Sequence, residues 1–188
     1  MKSIVFVCIC WLALGFGTVA SAQSAKPMEP RTISSELDRA VTGVEKEFVP
    51  AAEAMPEDKF SFAPSSGEFK GVRTFDQQVK HVAAVNYLLA SAILGEKPPV
   101  DTGGENGPDS VKTKAQSVQF LKDSFAYAHQ AVTTISATNA AAEIKSPFGT
   151  GTTTRLAMAV IIVGHCFDHY GQVVEYLRMN GIVPPASR

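Results

Sequence analysis

Two of the four histidines of this chain stand four residues apart, in His165-Cys166-Phe167-Asp168-His169. On a helix, positions i and i+4 lie on one face, one turn apart. Two imidazoles so placed can point at one ion, as in helix-borne zinc sites. The same spacing also arises on solvated helix faces, so the pair alone leaves both readings open. Two ligands hold a divalent ion weakly, and a third is needed. His81 is the best placed candidate: it falls near the middle of another helical stretch, beside Gln78 and Val85, on a flank of the apolar stripe. His129 reads as a structural or exposed residue. Cys166 sits ~100° around an ideal helix from His165, which points it away from the ligand face and into the core as an inert thiol.

Rival chemistries can be tested against the spacing. A di-iron bundle requires Glu-x-x-His on two helices, but Gln78, Ala126, Ile162 and Cys166 occupy the places three before the four histidines. The haem-attachment motif C-x-x-C-H is absent. A zincin needs Glu after the first histidine, where this chain has Cys166. The inverted form H-x-x-E-H has Asp168 in the Glu place, one methylene shorter. No nucleophile elbow, phosphate loop or dinucleotide fingerprint occurs. With 17 basic and 18 acidic residues and a net charge of −1, the chain lacks the cationic surplus that nucleic acid demands.

Helices must position these side chains. Apolar residues recur at spacings of three and four in four stretches. The first begins near Ser34 or Ser35 and carries Leu37, Val41, Val44 and Phe48; Pro50 inside it should kink or divide it. A loop over residues 56–73 holds Phe60, Phe62 and Phe69, aromatics expected to pack over the domain. The second helix opens at Thr74, whose pairing with Gln77 forms a capping box, and ends at Gly95. Residues 96–108, rich in Pro and Gly, read as an exposed loop. The third helix starts near Asp109 or Ser110, includes Val111, and ends between Thr138 and Ile144. The fourth starts near residues 152–154, after Gly149-Thr150-Gly151, and runs to about Asn180, where Gly181 caps it. No strand-length alternating segment stands out. The expected fold class is all-α, a four-helix bundle.

The N-terminus reads as an address. Lys2 precedes the apolar run from Ile4 to Leu14, and small residues follow, ending in Ala20-Ser21-Ala22. This is the pattern of a secretory signal peptide over residues 1–22, cleaved before Gln23. Residues 23–33 form a linker and residues 34–188 the domain. Cleavage removes Cys8, Cys10 and Trp11, leaves Cys166 as the one cysteine and so excludes an intramolecular disulfide. The expected location is exported, periplasmic or secreted, with no stable membrane span after cleavage.

Several stretches resemble the DinB-like superfamily of damage-inducible, YfiT-type four-helix-bundle proteins. They are Met55-Pro56-Glu57-Asp58-Lys59-Phe60-Ser61-Phe62-Ala63-Pro64, then Val72-Arg73-Thr74-Phe75 with Gln78, and His81-Val82-Ala83 with Asn86. The most specific are His165-Cys166-Phe167-Asp168-His169-Tyr170-Gly171-Gln172 and the block from Tyr176 to Pro185. The resemblance implies one divalent metal ion (Zn, Ni or Fe) held by His81, His165 and His169. It also implies a homodimer. Characterised members of that superfamily include thiol-dependent S-transferases and a maleylpyruvate isomerase. Small thiols of that class are cytosolic, and export speaks against them. The expected function is therefore a metal-dependent hydrolase-like or transferase-like enzyme with a small-molecule substrate, in which the ion activates water or a thiol. Asp168 has two readings: an outer partner that accepts an imidazole N–H, or a solvated helix charge. The alternative is a non-catalytic metal- or ligand-binding protein of the envelope.

Overall fold

A computed structural model describes residues 30–188; the expected signal peptide lies outside the described residues. Helix α1 (Ile33–Ala54) starts just ahead of its expected position. Thr32 caps it reciprocally with Ser35, each side chain accepting the other's backbone N–H. Pro50 does not divide it. Phe48, Ala51, Ala52 and Met55 are fully buried around the proline, so core packing holds the helix where one hydrogen bond is lost. It ends at Met55, which Pro56 forces into the extended region.

The 56–73 loop folds back on the domain through two of its three aromatics. Phe60 meets Phe75 edge-on, with ring centroids 5.2 Å apart, and Phe62 meets Tyr176 at 5.7 Å; Phe69 stays exposed. The carbonyls of Phe62 and Phe60 accept the first backbone N–H groups of α2 (Phe75–Leu94), from Phe75 and Asp76. These donors have no partner within a helix. The Thr74–Gln77 capping box is present, and Gly95 closes α2 in the left-handed region at φ 75°.

Helix α3 (Lys114–Thr133) begins later and ends earlier than the apolar spacing suggests. Thr113 and Gln116 form its capping box, so residues 109–112 stay in the loop. Val111 fits the stripe by spacing alone. The helix stops at Thr133, and residues 136–142 make turns. A short antiparallel hairpin follows, β1 (Glu143–Lys145) against β2 (Thr152–Thr154), with Ile144 opposite Thr153. The expectation of no strands is corrected here. Three-residue strands are too short to display an alternating pattern, and Gly149-Thr150-Gly151 lies in the connection between them. Thr154 then caps α4 (Arg155–Met179), and Gly181 closes it at φ 73°.

Helix α2 packs against α3 and α4, and α1 packs against the same two. The core runs through Phe48, Phe75, Leu89, Leu121, Phe125, Ile162 and Leu177, all fully buried. Buried polar groups are paired across it: Asn86 donates to Ser124 at 3.3 Å, and the Cys166 thiol donates to Asn86 Oδ1 at 3.3 Å. Burial pushes the Cys166 thiol up to about 12, which makes it unreactive at neutral pH. His129 lies away from the other histidines and bridges α3 to α1, its Nδ1 2.6 Å from Asp38 and its Nε2 3.1 Å from Glu45. Burial opposes its protonation, but the two carboxylates outweigh burial and raise its pKa. Among the described residues, no helix is long and apolar enough to cross a membrane.

Candidate metal centre

The packing of α2 against α4 brings His81, His165 and His169 into one cluster, their ligand atoms all within 4.8 Å of one another. Ring centroids stand 5.0 Å apart for His81 and His165, 4.7 Å for His81 and His169, and 4.4 Å for His165 and His169. His81 and His169 are buried, while His165 is partly exposed. The α2 face of the cluster follows from helix periodicity: Gln78, His81 and Val85 recur at three and four residues.

Two of the imidazoles are oriented through Nδ1. His81 Nδ1–H donates to the backbone carbonyl of Glu105 at 2.5 Å, and His169 Nδ1–H donates to Gln78 Oε1 at 2.6 Å. A hydrogen on Nδ1 leaves Nε2 with a free lone pair, the form a metal ligand requires. The Nε2 atoms of His81 and His165 face each other at 3.1 Å. Bonds of about 2.0–2.1 Å to a tetrahedral ion place two nitrogens roughly 3.3 Å apart, so the donor set fits a divalent ion bound by imidazole. His165 Nδ1 is buried and bonds no protein group, so its ring is held by α4 and by packing alone.

The electrostatics favour the neutral form of all three rings. Burial lowers His165 to about 3, aided by the neighbouring charges of His169, His81 and Arg73. Burial likewise lowers His169 to about 4, and it lowers His81 against the opposing effect of the Glu105 hydrogen bond. A cation entering at neutral pH therefore has no proton to displace.

Of the two readings for Asp168, the hydrogen bond to an imidazole does not form. Asp168 is exposed and accepts from Gln172 Nε2 at 3.3 Å. Gln78 Nε2 in turn donates to Gln172 Oε1 at 2.8 Å. Gln78 thus takes the place foreseen for Asp168, because it rises from α2 directly beside His169, and Asp168 stands at the far end of a chain of amides. We expect Gln78→Leu to weaken metal affinity by about 10–100-fold, since it strands a buried N–H. Gln78→Glu should retain or strengthen it, and competition with a chelating dye would read both.

The loop between α2 and α3 is less exposed than its composition suggests. Thr102, Gly107 and Pro108 are buried, and the loop delivers the Glu105 carbonyl. Its close turn demands glycine. A Cβ on Gly103 would lie 2.1 Å from the Gly107 carbonyl oxygen, and one on Gly107 would lie 2.7 Å from Lys80 Cβ. The three histidines line a cavity of about 310 Å³, walled by the apolar Val85, Phe148 and Ile161 and by Glu105. A larger hollow of about 710 Å³, between the end of α2 and the hairpin, includes none of these histidines.

The comparisons agree with this architecture. The structure of YfiT from Bacillus subtilis, described as "a probable metal-dependent hydrolase with an unusual four-helix bundle topology", superposes with a TM-score of 0.58 at 18% identity. The match covers 84% of this chain and 94% of that one. None of the curated proteins compared with the chain matches it. The family model of the DinB superfamily matches residues 40–173, a span that contains all three histidines and most of the four helices. The chain belongs to the DinB superfamily.

Proposed function

We propose that His81, His165 and His169 hold one divalent metal ion through Nε2, and that the protein is a metal-dependent hydrolase acting on a small molecule. The convergence of three neutral imidazoles from two helices carries this reading. The description of YfiT as a probable metal-dependent hydrolase supports the choice of reaction class. A three-imidazole ion keeps a coordination position open and supplies Lewis acidity that polarises a carbonyl or activates water or a thiol. The chain's own residues do the rest. The Glu105 carbonyl and Gln78 Oε1 fix two ligand tautomers. Val85, Phe148 and Ile161 give one side of the cavity an apolar lining. Imidazole alone suits Zn, Ni and Fe, so elemental analysis must choose among them.

The experiment is elemental analysis of purified protein beside a panel of esters and amides, with and without chelator. The expected result is about one ion per chain and turnover that the chelator removes. Metal without turnover would move the protein to a non-catalytic, metal-binding role in the envelope. Export after cleavage before Gln23 belongs to the same proposal. So does pairing of two copies through the outer face of α4, where Leu156, Val160 and Phe167 are exposed. N-terminal sequencing of the exported protein and light scattering would test these two points.

A further inference from the structure

Arg73 precedes Thr74, the cap of α2, and its position is fixed by the backbone: Tyr176 Oη–H from α4 donates to the Arg73 carbonyl at 3.0 Å. The side chain is half-buried. Among the described residues its guanidinium forms no ion pair. Three other charged residues stand near it. Lys80 Nζ is committed to the Val111 carbonyl at 3.0 Å. Asp109 and Glu105 each line one of the two hollows that Arg73 itself lines, without pairing to it.

Arg73 lines two hollows that adjoin the histidines. One, of about 540 Å³, includes Gln78 and Gln172, the amides that lead to His169. The other, of about 410 Å³, shares Glu105 and Phe148 with the histidine cavity. A guanidinium offers five donors in a planar fork that matches an oxyanion in two parallel hydrogen bonds. Across the shared boundary stand Phe148, Val85 and Ile161, an apolar wall beside the one carboxylate of that cavity, Glu105.

We propose that Arg73 is the anchor for an oxyanion, carboxylate or phosphate, on the substrate of this site, whose apolar body lies against Phe148, Val85 and Ile161. The inference rests on the metal-site reading for its functional meaning, but binding at Arg73 can be read without metal. Such a substrate is an amphipathic small acid. Arg73 is thus a specificity residue: it selects by charge and positions the reacting group toward the histidines.

The test measures binding of benzoate, phenyl phosphate and the neutral benzamide to metal-free protein by calorimetry at pH 7.5. The expected result is that at least one anion binds about tenfold tighter than benzamide. Arg73→Gln should erase that preference while melting temperature stays unchanged and zinc affinity is not weakened. Arg73→Lys should keep part of it, since charge remains but the fork is lost. His165→Ala should lose zinc affinity and keep the anion preference. Failure of the metal reading would therefore show as undiminished zinc binding in His165→Ala, a separate observation. No anion preference in the unmodified protein, including no measurable anion binding, would overturn the proposal. So would a preference that survives in Arg73→Gln.

Discussion

Replacing His165 by Ala should lower the affinity for zinc by at least about 100-fold, as measured by competition with a chelating dye. The reason is the count of ligands. His165 and His169 come from one turn of α4, and His81 alone comes from α2. Without His165, the pair that remains must close a site across two helices with no i, i+4 partner to share it. The Nε2 of His165 also stands 3.1 Å from that of His81, so its loss removes the approach that joins the two helices at the cluster. Ligand binding stabilises the folded state by mass action. Saturating zinc should therefore raise the melting temperature of the unmodified protein and leave that of His165→Ala where it was. His129→Ala is the control. Its imidazole bridges Asp38 and Glu45 instead of joining the cluster, so zinc affinity should be unchanged while stability falls modestly.

The second large effect is on acid stability. His165 titrates at about 3 and His169 at about 4, held down chiefly by burial, against 6.5 for an ordinary imidazole. His81 is lowered as well. Between these values the unfolded chain binds protons that the folded chain does not, so stability falls as pH falls. The contribution is fully present above pH 6.5 and drains away down to about 3–4, with a slope of at most ~1.4 kcal/mol per pH unit for each histidine. Denaturant titration of metal-free protein should show this decline, and His165→Ala should flatten it. His129 works in the opposite sense. Its raised pKa gives a contribution that is full below pH 6.5 and is lost as pH rises through the folded value. A stability that stayed level from pH 7 to pH 4 would contradict the buried, neutral state of the cluster.

How much of this was legible in the sequence depends on whether each signal is local. The Thr74–Gln77 box and Gly95 mark α2 from neighbours three or four residues away, and both ends stand where expected. The His165–His169 pair is local in the same sense. The start of α3 was obscured because Val111 continues the apolar stripe, and only the Thr113–Gln116 box two residues later sets the boundary. The hairpin was hidden by its length.

Within the site, the partners were harder to foresee than the ligands. A backbone carbonyl has no side-chain signature, so Glu105 could not be picked out from residues 96–108, a stretch whose composition reads as exposed. The glycines that allow its approach, Gly103 and Gly107, were the available signal. Asp168 has the right type and lies one turn from His165, yet Gln78 occupies the Nδ1 of His169 first. That outcome depends on how α2 and α4 pack side by side, which periodicity within either helix does not contain. Arg73 lies in one of the stretches that resemble the superfamily, but the sequence there assigns it no chemistry. Its meaning comes from the lack of a partner in a half-buried place, a property only of the folded chain.

The most direct test of the three-histidine site is X-ray absorption at the metal edge of zinc-loaded protein. The account predicts nitrogen scatterers at about 2.0–2.1 Å with the outer-shell pattern of three imidazoles, reduced in His165→Ala. A sulfur scatterer near 2.3 Å, or a spectrum without imidazole features, would contradict it.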